Sequence, residues 1–271
     1  MTTLQKIIKY LALAFAIFLI INIISAILFG IGTLASVLGL KKSNNKTEYL
    51  EEVTSNIQMT DVATLKIDIN YSNLKIKTGK FLSAESNDKN ISCTQNKNQL
   101  VIKEDGHKWF SFNDASDLVV YIPENIEFEA VKIKTGAGEV YIENLNTNEL
   151  SFDMGAGKVE IDKLIVSNEA KINGGVGKVD IKSSEIHNLN LDIGVGEFIL
   201  NSKLTGNSDI DSGIGAMKID LTDDISNYTI KASKGIGSIT LGGEEIKTDK
   251  TYGDGDSYIK INGGIGAIEI K

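Results

Sequence analysis

Seven copies of a Gly-x-Gly signature recur through the second half of this chain: Gly136-Ala137-Gly138, Gly155-Ala156-Gly157, Gly175-Val176-Gly177, Gly194-Val195-Gly196, Gly213-Ile214-Gly215, Gly235-Ile236-Gly237 and Gly264-Ile265-Gly266. Their second glycines lie 19, 20, 19, 19, 22 and 29 residues apart. A period this short means one small structural unit stacked on copies of itself. Two and four residues after each second glycine stand Val140/Ile142, Val159/Ile161, Val179/Ile181, Phe198/Leu200, Met217/Ile219, Ile239/Leu241 and Ile268/Ile270, all apolar. Five and seven residues before it the pattern holds from Ile133/Val131 to Ile261/Ile259, with Ser208 the one polar exception. Each unit therefore reads as two period-2 strands meeting at a glycine corner, with side chains of one parity in a shared core. One coil cannot bury its own aliphatic face; a stack of coils does. Strands one coil apart run parallel. The pattern predicts a mainly β fold, a parallel β-solenoid of about 19-residue coils, and the crossover rule favours right-handed winding. Glycine suits corners that need positive φ or close backbone approach, and the residue between the glycines is expected to plug the corner.

Upstream, residues 10–40 form a charge-free run of 31. As a helix it would be about 46 Å long, against a hydrocarbon core of about 30 Å. A cleaved signal peptide would have a shorter apolar region and a small-residue cleavage site, so the run reads as an uncleaved, single-pass transmembrane helix in contact with the lipid bilayer. The domain expectation is then a short tail at 1–9, the anchor at 10–40, a polar linker at 41–60, an irregular β cap at 61–130 and regular solenoid repeats at 131–271. Residues 242–258, which create the spacing of 29, are expected to leave the stack as a loop.

All 28 basic residues are lysine; two of them and no acid lie in residues 1–40, leaving 26 basic against 36 acidic residues, a net of −10, in residues 41–271. That surface repels nucleic acid. Cys93 is the single cysteine, so no intrachain disulfide forms. Lys41, Lys42 and Lys46 follow the anchor and Lys6 and Lys9 precede it, so charge alone does not orient the span.

Candidate chemistry is sparse. The Gly-x-Gly copies lack the third glycine and following helix of a dinucleotide loop, and no Ser or Thr follows Gly157-Lys158 or Gly177-Lys178. Calcium-binding β-rolls need Asp soon after the second glycine; here Glu139, Lys158, Lys178, Glu197, Ala216, Ser238 and Ala267 follow it. Asp254 and Asp256 read as a solvated turn, and His107 and His187 as exposed loop residues. No metal site, cofactor or catalytic residue is expected, and the fourteen glycines are assigned as structural turn residues. The enzymatic alternative is a polysaccharide-acting β-helix enzyme that uses outward carboxylates such as Glu160 with Asp180, or Asp153 with Asp192. Against it, Trp109 is the one tryptophan and lies outside the ladder, while Glu139/Lys158 and Lys178/Glu197 place opposite charges on successive coils.

The opening strand Ile67-Asp68-Ile69-Asn70-Tyr71-Ser72-Asn73-Leu74-Lys75-Ile76, the strand Val119-Val120-Tyr121-Ile122-Pro123 and the ladder from Lys134-Thr135-Gly136-Ala137-Gly138-Glu139-Val140 resemble the "toast-rack" domains, a family of proposed adhesins of unknown function in bacterial envelope proteins. The resemblance covers about 65–271. It implies a cell-membrane protein with an extracytoplasmic domain and a non-enzymatic role in adhesion, partner binding or envelope-stress sensing, and it supplies no catalytic residue. The expected partners are a protein or cell-wall component and a second copy of the chain, the latter through the C-terminal coil at 265–270, where nothing follows to cover the edge.

Overall fold

The computed structural model describes residues 52–53, 62–105 and 116–271, all within one compact unit, Leu50–Lys271. The tail, the anchor, most of the linker, His107 and Trp109 lie outside the described residues. Among the described residues no helix is long and apolar enough to cross a membrane.

Fourteen strands join in one sheet system. They are β1 (Glu52–Val53), β2 (Thr64–Ile69), β3 (Asn73–Gly79), β4 (Ser83–Ser86), β5 (Ile91–Asn96), β6 (Gln99–Glu104), β7 (Asp117–Pro123), β8 (Phe128–His187), β9 (Leu189–Thr205), β10 (Asn207–Leu221), β11 (Tyr228–Leu241), β12 (Glu244–Glu245), β13 (Lys250–Tyr252) and β14 (Ser257–Ile270). The long strands are continuous through their corners; β8 winds through three coils without a break. Pairing between coils is parallel and in register, with Leu191 on Ile172, Gly196 on Gly177 and Phe198 on Val179.

The glycines make this close stacking possible in two ways. At Gly155 a Cβ would overlap the carbonyl oxygen of Gly136 in the coil below. Gly196 has φ of 145°, a region side chains avoid, and a Cβ there would overlap the Gly177 oxygen. The other copies repeat this arrangement, Gly138 more loosely at 3.2 Å from the Ser72 oxygen, so first and second glycines form two columns of backbone touching backbone.

Of the positions that the repeat assigns to the core, only Leu241 is half-buried; the rest are buried. A third inward ladder completes four of the coils: Leu145/Thr147, Leu164/Val166, Ser184/Ile186 and Ser202/Leu204, all buried. Its hydroxyls are satisfied by backbone carbonyls: Thr147 donates to Phe128 (3.1 Å), Ser184 to Asn201 (3.0 Å) and Ser202 to Ser184 (3.3 Å). Burial of an aliphatic side chain contributes about 1.5–3 kcal/mol, and chain ordering offsets most of that sum.

The order of coils in space differs from the order in the chain at both ends. β14 pairs with β10 on one side and with β11 on the other. The chain leaves β10, crosses a rung through the 3-10 turn Ile225–Asn227, forms β11 as the outermost coil, and returns to insert β14 into the gap. The expectation that 265–270 ends the stack is thus corrected. Residues 242–258 are likewise more than a loop: β12 and β13 run antiparallel along the outer edge of β11. At the other end β2 and β3 pair in parallel with β8, Leu65 on Val131 and Leu74 on Val140, and so form a regular coil inside the expected cap. Asn70-Tyr71-Ser72 takes the corner that Gly-x-Gly takes elsewhere: the Ala137 N–H donates to the Asn70 carbonyl at 2.8 Å. β6 and β7 lie outside this coil, with β5 and β4 antiparallel on their far edges and β1 on β4.

Gly196→Ala should lower the stability of the full chain by about 3 kcal/mol or more, since strain and overlap coincide. Gly242→Ala, at φ of 60° with nothing within 4 Å of its Cβ, should cost only about 1–2 kcal/mol; urea midpoints of the two variants compare them. Ser208 occupies a core position at 3% exposure, and its hydroxyl has no partner among the described residues. Ser208→Ala should therefore raise the urea midpoint, a gain of about 1 kcal/mol.

Candidate functional site

Alternation along each strand sends every second side chain outward, and stacking lines these side chains up as columns. The second strands of the coils carry the densest charge. Lys158 donates to Glu160 at 2.8 Å, and Lys182 bridges Glu160 and Asp162, at 2.8 Å from the latter. The Tyr141 hydroxyl donates to Asp162. Further along, Lys178 pairs with Glu197 at 2.9 Å, Lys218 with Asp220 at 3.0 Å and Lys271 with Glu269 at 2.7 Å.

These contacts set the protonation states. Hydrogen bonds from Lys158 and then Lys182 hold the Glu160 carboxyl down at about 2. The Asp162 carboxyl is lowered, first by Lys182 and then by Tyr141. Lys182 is raised by its bonds to Asp162 and Glu160, and the Tyr141 hydroxyl is raised by its bond to Asp162. The lysine–carboxylate contacts among them are ion pairs open to solvent, whose net contribution to stability is small. A carboxyl held near 2 is a poor general acid at neutral pH.

The first strands carry a more neutral column. Asn173 donates to Asp153 and lies in register with Asp192, so it separates the two carboxylates expected to act together. Asn262 donates to Asp211 at 2.7 Å and accepts from Ser233 at 3.0 Å; Lys260 pairs with Asp209 at 3.1 Å. Glu160 and Asp180 occupy equivalent places in successive coils, but Glu160 is committed to its two lysines. Of the two opposite-charge pairs expected between coils, Lys178–Glu197 forms, whereas Lys158 turns to Glu160 in its own strand. Glu139 and Lys158 line a shallow depression of about 110 Å³ with Asn73, Lys75, Tyr141 and Glu160, well below the size of a ligand pocket, about 300–1,000 Å³.

His187 is a half-buried strand residue rather than an exposed loop one, its Nδ1 2.9 Å from Thr205 Oγ1. Asp254 and Asp256 are exposed between β13 and β14. Among the described residues no three His, Cys, Asp or Glu side chains gather to hold a metal ion.

The feature that sequence reasoning missed is the corner itself. The residue between the glycines does not plug it but points out. Ala137 and Ala156 are exposed, Val176 is 38% and Ile236 53% exposed, and Val195, Ile214 and Ile265 are half-buried. Tyr71, at 49%, continues the line into the coil of β2 and β3. This residue has the parity of the first strand's inward positions but of the second strand's outward ones, and it follows the second strand. The result is an apolar ridge along the stack, flanked by bare glycine backbone.

The family model Toastrack DUF4097 matches residues 49–263. No curated protein matches the chain. Five solved chains do. One is a proposed cell adhesion protein from Clostridium sporogenes, 17% identical, covering 82% of this chain and 99% of its own, with a TM-score of 0.39. Another is a proposed adhesin from Bacteroides fragilis, 15% identical, covering 83% of this chain and 98% of its own, with a TM-score of 0.43.

The carboxylate assignment is testable by titration. A depressed folded-state pKa means that the ion pairs of Glu160 are fully present above its ordinary value of 4.5 and are lost as pH falls through about 2. Carboxyl carbon NMR should show Glu160 still ionised at pH 3.5, where an unperturbed glutamate is about nine-tenths protonated; Lys182→Met should move its titration up toward the ordinary value.

Proposed function

The chain belongs to the Toastrack DUF4097 family, and we propose that it is a non-enzymatic binding protein of the bacterial cell surface, anchored in the membrane through residues 10–40 with its β-stack outside the cytoplasm. The observation that carries this reading is the state of the outer faces. Two of their carboxylates, Glu160 and Asp162, are neutralised by lysine and held ionised. Acid–base hydrolysis of a glycan needs the opposite, one carboxyl kept protonated near neutrality opposite an ionised partner. The stack repeats the same outer surface coil after coil, and display of such a surface suits adhesion or partner capture.

Display of the full chain on a non-adherent bacterium tests the proposal. Added protease should remove the β domain from intact cells. The displaying cells should attach to one another or to a surface more than cells without the protein, and Glu160→Gln should leave attachment unchanged. Protection of the domain from protease, despite cleavage of a surface control, overturns the location. Release of sugar from cell-wall polymer by the wild type and its loss in Glu160→Gln overturns the non-enzymatic role.

A further inference from the structure

The corner ridge is graded. In spatial order its residues are Tyr71, Ala137, Ala156, Val176, Val195, Ile214, Ile265 and Ile236. None of them belongs to the buried core, and their gradation in size becomes complementary between two copies.

We propose that the corner ridge docks against the same ridge of a second copy of this chain, running in the opposite direction. This deepens the binding reading above and rests on it. When two such ridges are laid antiparallel with Val195 on the two-fold axis, Ala137 meets Ile236, Ala156 meets Ile265, Val176 meets Ile214, and Val195 meets itself. Each small residue faces a large one, and the gap between the two stacks stays nearly even. Tyr71, the largest, falls beyond the last coil of the partner, over the exposed 235–238 corner of β11. A parallel arrangement would instead set Ala against Ala at one end and Ile against Ile at the other. An isologous two-fold contact requires a self-complementary surface, and this ridge is complementary only when reversed.

Charge agrees with the fit. An antiparallel pair brings Glu197 of the two copies together near the axis, but each is already bonded to Lys178 at 2.9 Å, giving a neutral quartet. Beside the isoleucines the flanking residues are Ala216, Ala267 and Ser238, which leave room for close approach. Size sets the strength. Seven coils spaced by about 4.8 Å make a ridge about 29 Å long, and a contact about 20 Å wide buries about 600 Å² on each copy, less than the roughly 800 Å² of a standard interface. The dimer is therefore weak and is best read by covalent trapping.

The experiment uses the full chain in detergent with Cys93→Ser. Val195→Cys should give a reducible dimer on mild oxidation, whereas Lys171→Cys, exposed elsewhere on the same stack, should stay monomeric. Ala156→Cys with one tag mixed with Ile265→Cys with another should give a dimer carrying both tags, and Ala156→Cys alone should give none. Adding Val176→Asp to Val195→Cys should abolish the dimer. A monomeric Val195→Cys overturns the proposal, and so does an Ala156→Cys chain that links to itself, which marks a parallel contact. Should displaying cells still attach while Val195→Cys remains monomeric, binding stands and self-docking falls.

Discussion

A carbonyl oxygen seated where a Cβ would otherwise be is the contact from which this structure follows. At each corner the backbone of one coil rests on the backbone of the next, Gly155 on Gly136 and Gly196 on Gly177 among them. Removing the side chain there lets successive coils approach at strand spacing all the way around the bend, so the pairing of one strand continues into the next. That continuity fixes the register. Fixed register in turn places Val179 under Phe198 and Ile181 under Leu200, and the apolar columns close into one core. The same bare corner leaves the intervening residue nowhere to go but outward, so the exposed ridge is a by-product of the contact that makes the stack.

Stacked sheets must deal with their ends, where unpaired backbone invites association. Here both ends are folded back. The N-terminal end is covered by β4, β5 and β1, and the Glu104 carboxylate accepts the N–H groups of Asn70 at 2.7 Å and Tyr71 at 2.9 Å. Glu104 thereby serves the corner that has no glycine coil above it, at 7% exposure. At the opposite end β12 and β13 cover the two arms of β11. Lys234 N–H donates to Thr248 at 3.2 Å, and only the corner between the arms stays bare.

Much of this was legible in the residues, for a definable reason. The two strands of each coil alternate cleanly, so their inward positions declared themselves, down to Ser208 as the exception. The third ladder did not, because Thr147, Ser184 and Ser202 occupy core positions with hydroxyls, and a register shift between Ile181 and Ser184 breaks its period. The coil of β2 and β3 lacks the signature because Asn70 and Ser72 replace glycine at its corner. The exchange of β11 and β14 left only an irregular spacing as a trace: every coil carries the same pattern, so any one fits beside any other, and pattern alone does not say which neighbours which. Of the candidate site, carboxylate placement was readable, but the neutralisation of Glu160 by two lysines from different coils depends on side-chain reach that no linear spacing encodes.

The interleaved order has a mechanical consequence. In a stack wound in simple sequence, tension on the chain peels the outermost coil, one bond row at a time. Here the final strand is clamped between two others. A pull applied at Lys271 loads β14 along both of its edges at once, in shear against β10 and β11 together, and the outermost coil is not the one that carries the force. Force reaching β14 through Lys271 is thus shared between two neighbouring coils.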